Sequence, residues 1–152
     1  MDIVIAIETP DQPEVLRFLT ASDAYHADRY PAESNHTLPV TELLVDEVTF
    51  LVARGDGRAL GCGALVDRGD GSAEIKRMWV DPDARGLGLG RKLLAAIELE
   101  ARVLGIQTLR LETGVRQPEA IGLYRALGYE EIPAFASYRP DPFSHFMEKV
   151  LG

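Results

Sequence analysis

The chain has 152 residues, of which 46% are hydrophobic and 26% charged, and its formal net charge at pH 7 is −8. This length and composition are typical of one globular domain, residues 1–152, and they exclude a disordered or fibrous chain. No apolar run approaches the roughly 18 residues of a membrane span, so we expect no membrane partner. Because Cys62 is the only cysteine, no internal disulfide can form, and a reducing, cytoplasmic location is expected.

The excess negative charge lies in the first part of the chain. Residues 1–57 hold 11 acidic and 3 basic side chains, whereas residues 58–152 hold 13 of each. Solubility accounts for such an excess, and the alternative is that the N-terminal part attracts a cationic ligand. Nucleic acid is not an expected partner, because a basic footprint is missing.

The first third of the chain alternates apolar segments with turn formers. The pattern predicts a strand over residues 3–8, a helix from residues 11–13 towards residue 28, a loop over residues 29–40 and a short helix over residues 41–46.

An antiparallel pair of strands is predicted next, over residues 48–54 and 59–66, joined by a hairpin turn at residues 55–57. Gly61 and Gly63 lie inside the second strand, where glycine indicates a bulge or another backbone close by. Cys62, between them, is expected to be a buried packing residue.

The following stretch has the pattern of a strand, a glycine loop and a helix. Residues 74–80 suit an extended strand, which the turn formers at residues 81–83 end. From there the apolar spacing becomes helical, and the helix is expected to end near Gly105. Its apolar face consists of Leu89, Leu93, Ile97, Ala101 and Leu104.

The last third of the chain completes a sheet. The predicted elements are a strand over residues 107–113, a helix over residues 119–127, a strand over residues 129–132 and a final strand over residues 143–151. Strand, helix and strand in this order make a parallel pair with a right-handed crossover. Gly128 occupies the C′ position of the helix. We therefore expect a mixed sheet with helices packed on it.

The sequence from Arg85 to Gly90, RGLGLG, is the clearest candidate binding motif. Glycine lets the backbone approach a ligand closely, and the first N–H groups of a helix make an anion site suited to phosphate. Arg85, Arg91 and Lys92 add positive charge. A tight turn without a ligand is the alternative. A dinucleotide fingerprint is excluded because Arg91 stands where its third glycine belongs, and no P-loop sequence is present.

Two motifs together carry a family resemblance. Arg85, Gly88 and Gly90 fit the pattern R-x-x-G-x-G, and a Leu-Tyr-x-x-x-Gly-Tyr segment stands at residues 123–129. Over residues 48–150 the chain resembles the GNAT superfamily of acetyl-CoA-dependent N-acetyltransferases, as a small bacterial stand-alone member. The resemblance implies an α/β (mixed α+β) fold. Its sheet would be mostly antiparallel, with six or seven strands, a splayed parallel pair and about four helices around it. Acetyl-CoA as cofactor and a homodimer are implied as well.

The resemblance places the cofactor along the end of the central strand, the glycine loop and the two following helices. Backbone groups of residues 78–80 would pair with the pantetheine arm and help to polarise the thioester carbonyl. The implied cofactor-binding residues are Met78, Trp79, Val80, Arg85, Gly86, Leu87, Gly88, Leu89, Gly90, Arg91, Gln117 and Tyr124. At Gln117 many relatives have a cofactor-contacting asparagine, so this sequence keeps the amide on a longer side chain.

Acetyl transfer to an amine needs a proton acceptor, because an amine of the lysine kind has a pKa near 10.4 and arrives protonated. Glu74 is the candidate, and its spacing from the glycine motif matches that of the general-base glutamate in histone-acetylating members. The period of a strand places it on the same face as Lys76, Met78 and Val80. The alternative is an edge-exposed or salt-bridged glutamate, for example paired with Arg110, with another residue or water as the base.

Tyr124 is the candidate general acid. In the family motif that it matches, the tyrosine hydroxyl lies near the cofactor sulfur and protonates the departing thiolate. An aromatic side chain that only packs on the helix is the alternative.

The acceptor site is expected to use the variable region after the first helix. The candidates there are Tyr25, Tyr30, Glu33 and His36, to which a narrower resemblance to a bacterial subgroup adds Glu112, Tyr138 and Ser144. Surface exposure or packing is the alternative for the first set, and strand pairing explains the second set almost equally well.

The sequence thus predicts an N-acetyltransferase that acts by direct attack in a ternary complex. Its acceptor would be a primary amine of a small molecule, an amino acid or a peptide. The alternatives are a non-catalytic acyl-CoA-binding regulatory module and the transfer of an acyl group longer than acetyl. No metal site is predicted.

Overall fold

The computed structural model of the chain describes residues 2–34 and 38–152. The strands are β1 (Ile3–Ile7), β2 (Val48–Gly55), β3 (Arg58–Asp67), β4 (Ser72–Val80), β5 (Thr108–Gly114), β6 (Glu130–Ile132) and β7 (Ser144–Val150). The α-helices are α1 (Pro13–Arg29), α2 (Leu89–Val103) and α3 (Pro118–Ala126). One seven-stranded sheet has the order β1-β2-β3-β4-β5-β7-β6, with β4 and β5 parallel and the other pairs antiparallel.

This architecture confirms the predicted mixed sheet and its single parallel pair. The described residues contain three α-helices in place of the expected four or so. The short helix expected at residues 41–46 is a 3₁₀ turn at Val40–Leu43, a length at which the tighter turn is common. None of the helices in the described part of the chain has the length and apolar character needed to cross a membrane.

Helix α2 carries the apolar face that the sequence predicts. Leu93, Ile97 and Ala101 are fully buried. Ile97 and Ala101 join an apolar cluster with side chains of β3, β4 and β5, and Leu93 joins a second cluster with side chains of β2 and β3. Leu104 was expected on this face but is 51% exposed. The reason is that α2 ends at Val103, and Leu104 serves as the C-cap residue before the left-handed turn at Gly105.

The two glycines of β3 allow β4 and α2 to approach closely, as predicted. A Cβ atom on Gly61 would lie 2.9 Å from the carbonyl oxygen of Trp79. A Cβ atom on Gly63 would lie 3.0 Å from Cδ1 of Ile97 on α2. A side chain at Gly61 would therefore push the backbone of β4 away from β3, whereas one at Gly63 would displace the ends of the Ile97 and Met78 side chains.

Strand β4 contains a bulge at Arg77, whose φ is 58°. Ala64 pairs with Lys76, but Cys62 pairs with Trp79, so β4 has one residue more than β3 in this interval. The predicted alternation of residues 74–80 is therefore wrong beyond the bulge. Side chains 78 and 80 pack on the α2 side of the sheet, and side chain 79 packs on the α1 side.

Cys62 lies opposite this bulge and is fully buried, as expected. Its Sγ donates a hydrogen bond to the carbonyl oxygen of Arg77 at 3.5 Å. Burial raises the pKa of the thiol to about 12.

The parallel pair separates after a short ladder. Residues 72–75 of β4 pair with residues 108–111 of β5, and the ladder stops there. β5 continues alongside β7 as far as the pair Gly114 and Ser144. Beyond Ile75, one side of β4 is therefore left open next to β5, in agreement with the expected splay.

Arg54 on β2 joins the N-terminal elements to the sheet. Its guanidinium donates to both carboxylate oxygens of Glu8, each at 2.9 Å, and to Glu14 of α1 at 3.0 Å. The remaining oxygen of Glu14 accepts the backbone N–H of Ala59 at 2.9 Å. The Arg54 hydrogen bond lowers the pKa of Glu8, and the Ala59 N–H followed by Arg54 lowers the pKa of Glu14.

Replacing Arg54 should destabilise the fold in a pH-dependent way. At pH 7 we expect Arg54→Met to lower the free energy of unfolding by about 2 kcal/mol, because two partly buried carboxylates lose their donor. Since both carboxylates have folded-state pKa values below their unfolded value of 4.5, this stabilisation is complete above that pH and fades below it. Urea unfolding of both proteins at about pH 7 and pH 3 measures the difference.

Arg58→Met is the matched control. Arg58 is 61% exposed, and its nearest carboxylate, on Asp81, lies 3.6 Å away, so its loss should change stability by less than about 0.5 kcal/mol. An equal loss for Arg54→Met at both pH values would contradict the electrostatic explanation.

Candidate active site

Two adjoining cavities lie where β4 separates from β5. The inner cavity, of about 250 Å³, is bounded by β4, β5, α1 and α3. The outer cavity, of about 550 Å³, lies between the glycine loop and the N-terminus of α3. Both include residues 78–80, Gly90 and Gln117 in their walls, so they meet along the end of β4.

The outer cavity has the features of an anion site. Gly86 and Gly88 adopt φ values of 87° and 70°, and Gly88 is the N-cap of α2, with no side-chain cap on the first N–H groups of the helix. Arg85 and Arg91 line the cavity, and Arg116 faces them from the loop before α3. A helix N-terminus with three arginines around it suits a phosphorylated ligand.

Two of the residues singled out near this loop lie outside the cavity wall. Leu87 is 44% exposed and lines neither cavity. Lys92 is exposed on α2 and does not line them either. Gln117 lies in both walls, and its Oε1 accepts the backbone N–H of Gly114 at 3.0 Å.

Tyr124 lies on α3 in the wall of the inner cavity. It is 7% exposed, and its ring packs edge-on against Tyr129 with centroids 5.7 Å apart. Within residues 2–34 and 38–152 no side chain or backbone group hydrogen-bonds to its hydroxyl. Burial raises the pKa of the phenol to about 12. The hydroxyl therefore keeps its proton at neutral pH and is available to a ligand.

Glu74 is the most buried carboxylate on the inner wall, with 1% exposure. One oxygen accepts Nη2 of Arg68 at 2.5 Å. The other accepts the hydroxyl of Tyr138 and lies 3.3 Å from Nζ of Lys76. The alternative of an edge-exposed glutamate is excluded, and the ion pair that does form is with Arg68 and Lys76. Arg110, the partner considered from the sequence, pairs instead with Glu148.

Tyr138 links this carboxylate to the loop between β6 and β7. Nζ of Lys76 donates to the Tyr138 oxygen at 2.5 Å, and the same hydroxyl donates to Glu74. Burial, followed by the hydrogen bond to Glu74, raises the pKa of Tyr138 well above its usual value. We call Arg68, Glu74, Lys76 and Tyr138 the Glu74 network. Sequence analysis missed Arg68, which no motif marks.

The other acceptor-site candidates are dispersed. Glu112 lines the inner cavity and accepts the hydroxyl of Ser144 at 2.8 Å. Tyr25 lines the outer cavity and packs edge-on against the Trp79 ring.

Tyr30, which lines neither cavity, is 8% exposed. Its hydroxyl accepts the backbone N–H of Arg116 at 3.0 Å. Glu33 is exposed and lines neither cavity, and His36 lies outside the described residues.

Arg77 and His26 line the inner cavity although sequence analysis did not select them. Nη1 of Arg77 lies 2.6 Å from the carboxylate of Asp23 on α1, and Nη2 lies 3.3 Å from the carbonyl oxygen of Leu19. These contacts fix α1 to the bulge of β4. The bulge interrupts the alternation that would have marked Arg77, and His26 belongs to no motif.

Comparison with known proteins gives matches along the whole chain. A family model described as "Acetyltransferase (GNAT) domain" matches residues 46–131. An IAA acetyltransferase of Azospirillum brasilense is 48% identical over 151 residues, which is 99% of each chain.

Solved structures agree with these matches. The crystal structure of a Klebsiella pneumoniae protein named as an acyl-CoA N-acyltransferase superposes with a TM-score of 0.84 at 42% identity, over 99% of this chain and 98% of the other. A GNAT family acetyltransferase from Elizabethkingia anophelis with acetyl-CoA bound gives a TM-score of 0.73 at 17% identity, over 97% of each chain. At that identity the likeness concerns the fold alone.

Proposed function

This chain belongs to the GNAT acetyltransferase family, and we propose that it transfers acetyl from acetyl-CoA to an amine of a small molecule by direct attack in a ternary complex. Its enzyme class and its cofactor are those of the family, so the non-catalytic module that the sequence left open is set aside. The acceptor, the direct route and the roles of single residues are the proposal.

One observation carries the proposal: a buried phenol without a hydrogen-bond partner among the described residues lies in the wall of the inner cavity, which also contains the end of β4 where the two cavities meet. A cofactor whose phosphates occupy the outer cavity would reach along residues 78–80 towards Tyr124. An acceptor in the inner cavity would then meet the thioester at the shared wall. This arrangement favours attack by the acceptor itself, without a covalent acyl-enzyme.

The backbone of β4 is suited to hold the cofactor arm. On one side, Trp79 and Val80 pair with β3, whereas the ladder towards β5 ends at Ile75. N–H and C=O groups on that open side need partners, and a pantetheine chain carries amides that can supply them. The same groups would also polarise the thioester carbonyl.

Tyr124 is proposed as the group that gives a proton to the departing sulfur. Attack by the amine nitrogen forms the C–N bond, and the C–S bond then breaks as the phenol transfers its proton to the thiolate. The attacking nitrogen still carries one excess proton. This proton passes through solvent to the phenolate of Tyr124 and restores the phenol. Because burial raises the pKa of the Tyr124 phenol in the resting site, the phenol keeps its proton until the sulfur becomes charged.

The role of Glu74 as proton acceptor stays a prediction. Both of its oxygens accept hydrogen bonds within the Glu74 network, and taking up a proton would displace Tyr138 or Arg68. The network therefore favours a role for Glu74 in fixing the loop of Tyr138, which itself lines neither cavity, to β4.

The inner cavity supports a small acceptor with little net charge. Its charged wall residues balance, with Glu74 and Glu112 against Lys76 and Arg77. None of the wall residues that come from the acidic N-terminal part is itself acidic in the described structure. The relative of 48% identity, named an IAA acetyltransferase, also favours a small-molecule acceptor and makes IAA the first compound to test.

Three further expectations stay predictions: a single domain, a homodimer and a cytoplasmic location. Light scattering on the purified protein distinguishes a homodimer from a monomer directly.

The acceptor proposal is tested by thiol release from acetyl-CoA against a panel of compounds. The panel contains neutral small amines, amino acids, polyamines, lysine peptides and IAA. We expect a neutral or zwitterionic amine to raise the rate at least about 10-fold above the rate without acceptor. Turnover of polyamines or lysine peptides alone would contradict the proposal, and turnover of IAA alone would assign the narrower activity of the Azospirillum brasilense relative.

Tyr124→Phe should lower kcat about 10²–10⁴-fold, the usual contribution of a positioned acid, with the Kd of acetyl-CoA unchanged. Tyr129→Phe is the matched control, because its ring contacts Tyr124 but its hydroxyl donates to Glu98. The control should cost about 1 kcal/mol of stability and keep its turnover. Equal turnover in both variants would remove Tyr124 from the chemistry.

Arg85→Ala and Arg91→Ala should each raise the Kd of acetyl-CoA about 5–30-fold, because each removes a cation from the wall of the outer cavity. Lys92→Ala removes the same charge from a position outside that wall and should change the Kd less than about 2-fold. Calorimetric titration measures all three. An equal effect of Lys92→Ala would mean that the net charge of the region, and no specific contact, governs binding.

A further inference from the structure

The ring of His26, on the last turn of α1, lines the same inner cavity as Tyr124. Its Nδ1 lies 2.7 Å from the backbone carbonyl oxygen of Ser22. A carbonyl oxygen can only accept a hydrogen bond, so Nδ1 carries the hydrogen. In the neutral ring the lone pair is then on Nε2, for which the described residues supply no hydrogen-bond partner.

Aromatic neighbours fix the orientation of this ring. Tyr30 stacks on it at an interplanar angle of 26°, with the centroids 6.0 Å apart. Tyr25 contacts it edge-on at 5.6 Å. Tyr30 is itself held by the backbone N–H of Arg116. Because the Nδ1 hydrogen bond and two rings restrain it, the imidazole keeps one tautomer and one direction, as an orienting carbonyl does for other functional histidines.

The remaining titratable groups on the inner wall are less suited to take up a proton. Glu74 accepts hydrogen bonds at both oxygens, and Glu112 accepts one from Ser144. Lys76 and Arg77 are donors. Tyr124 is the group that must keep its proton until the sulfur departs. His26, in contrast, has a nitrogen with a lone pair, Nε2, that accepts no hydrogen bond from the described residues.

We infer that His26 is the proton acceptor for the attacking amine, with Nε2 as the receiving atom. This inference deepens the proposed acetyl transfer and rests on it. The acceptor ammonium loses one proton to Nε2 and becomes a free amine, which then forms the C–N bond. His26 returns that proton to solvent after turnover. Tyr124 supplies the sulfur proton separately, so acid and base act on different atoms and the sum of the step is amide, free thiol and one released proton.

His26→Asn separates the two nitrogens of the ring. An asparagine amide can still donate to the Ser22 carbonyl from the Nδ1 position, but it has no basic nitrogen. With the best acceptor of the panel, we expect kcat to fall about 10²-fold or more, with the Kd of acetyl-CoA within about 2-fold of wild type. In His26→Ala, added imidazole should restore part of kcat, which a purely structural role would not allow.

Glu74→Gln is the comparison variant, because it tests the other candidate base. If His26 is the acceptor, Glu74→Gln lowers stability but keeps at least about a tenth of kcat. Loss of kcat in Glu74→Gln with His26→Asn near wild type would overturn the inference and establish Glu74 as the base.

Nitrogen NMR of the resting enzyme reads the tautomer without turnover. We expect the hydrogen on Nδ1, and finding it on Nε2 would overturn the inference whatever the kinetics. Failure of the inference and failure of the proposed function are distinguishable. An active wild type with an equally active His26→Asn removes His26 alone, whereas a wild type that turns over no acceptor removes both.

Discussion

The left-handed backbone of Arg77 is the constraint on which the site depends. A positive φ at a side-chain-bearing residue costs of order 1 kcal/mol or more and persists only where its surroundings enforce it. Here the guanidinium bonds to Asp23 and to the carbonyl of Leu19 offset that cost. The extra residue turns the end of β4 away from β5, and the two glycines of β3 leave room for the displaced strand. Residues 78–80, which follow this irregularity, lie in the walls of both cavities.

The Glu74 network shows how a buried charge connects distant parts of the chain. Arg68 comes from the turn before β4, and Tyr138 comes from the loop between β6 and β7. A carboxylate with 1% exposure is tolerated because donors surround it. These donors therefore fix the turn before β4 and the loop between β6 and β7 to one carboxylate in the wall of the inner cavity.

Local sequence patterns predicted the elements well. The spacing of α2, the glycine turns and the alternation of β5 each depend on near neighbours, and the mixed sheet with its parallel pair was confirmed. The bulge at Arg77 was missed because arginine gives no signal for a left-handed conformation, and it made the expected common face of residues 74–80 wrong. Local patterns could not predict long-range contacts such as the one between Glu74 and Tyr138, which are 64 residues apart in the sequence. The tautomer of His26 likewise depends on a backbone carbonyl that side-chain identity does not mark.

The reactivity of the single thiol, Cys62, reports on the packing of the strands around it. Cys62 is fully buried with its pKa raised to about 12, and its sulfur donates to the carbonyl of the bulged residue. A thiolate is the reactive form, so alkylating and disulfide reagents should leave the native chain unmodified and detect only the coenzyme released in an assay. Modification of Cys62 requires β3 and β4 to separate at the bulge, so its rate reports how often they do so. The reactivity of Cys62 thus measures the local opening of β3 and β4, the strand pair on which the site depends.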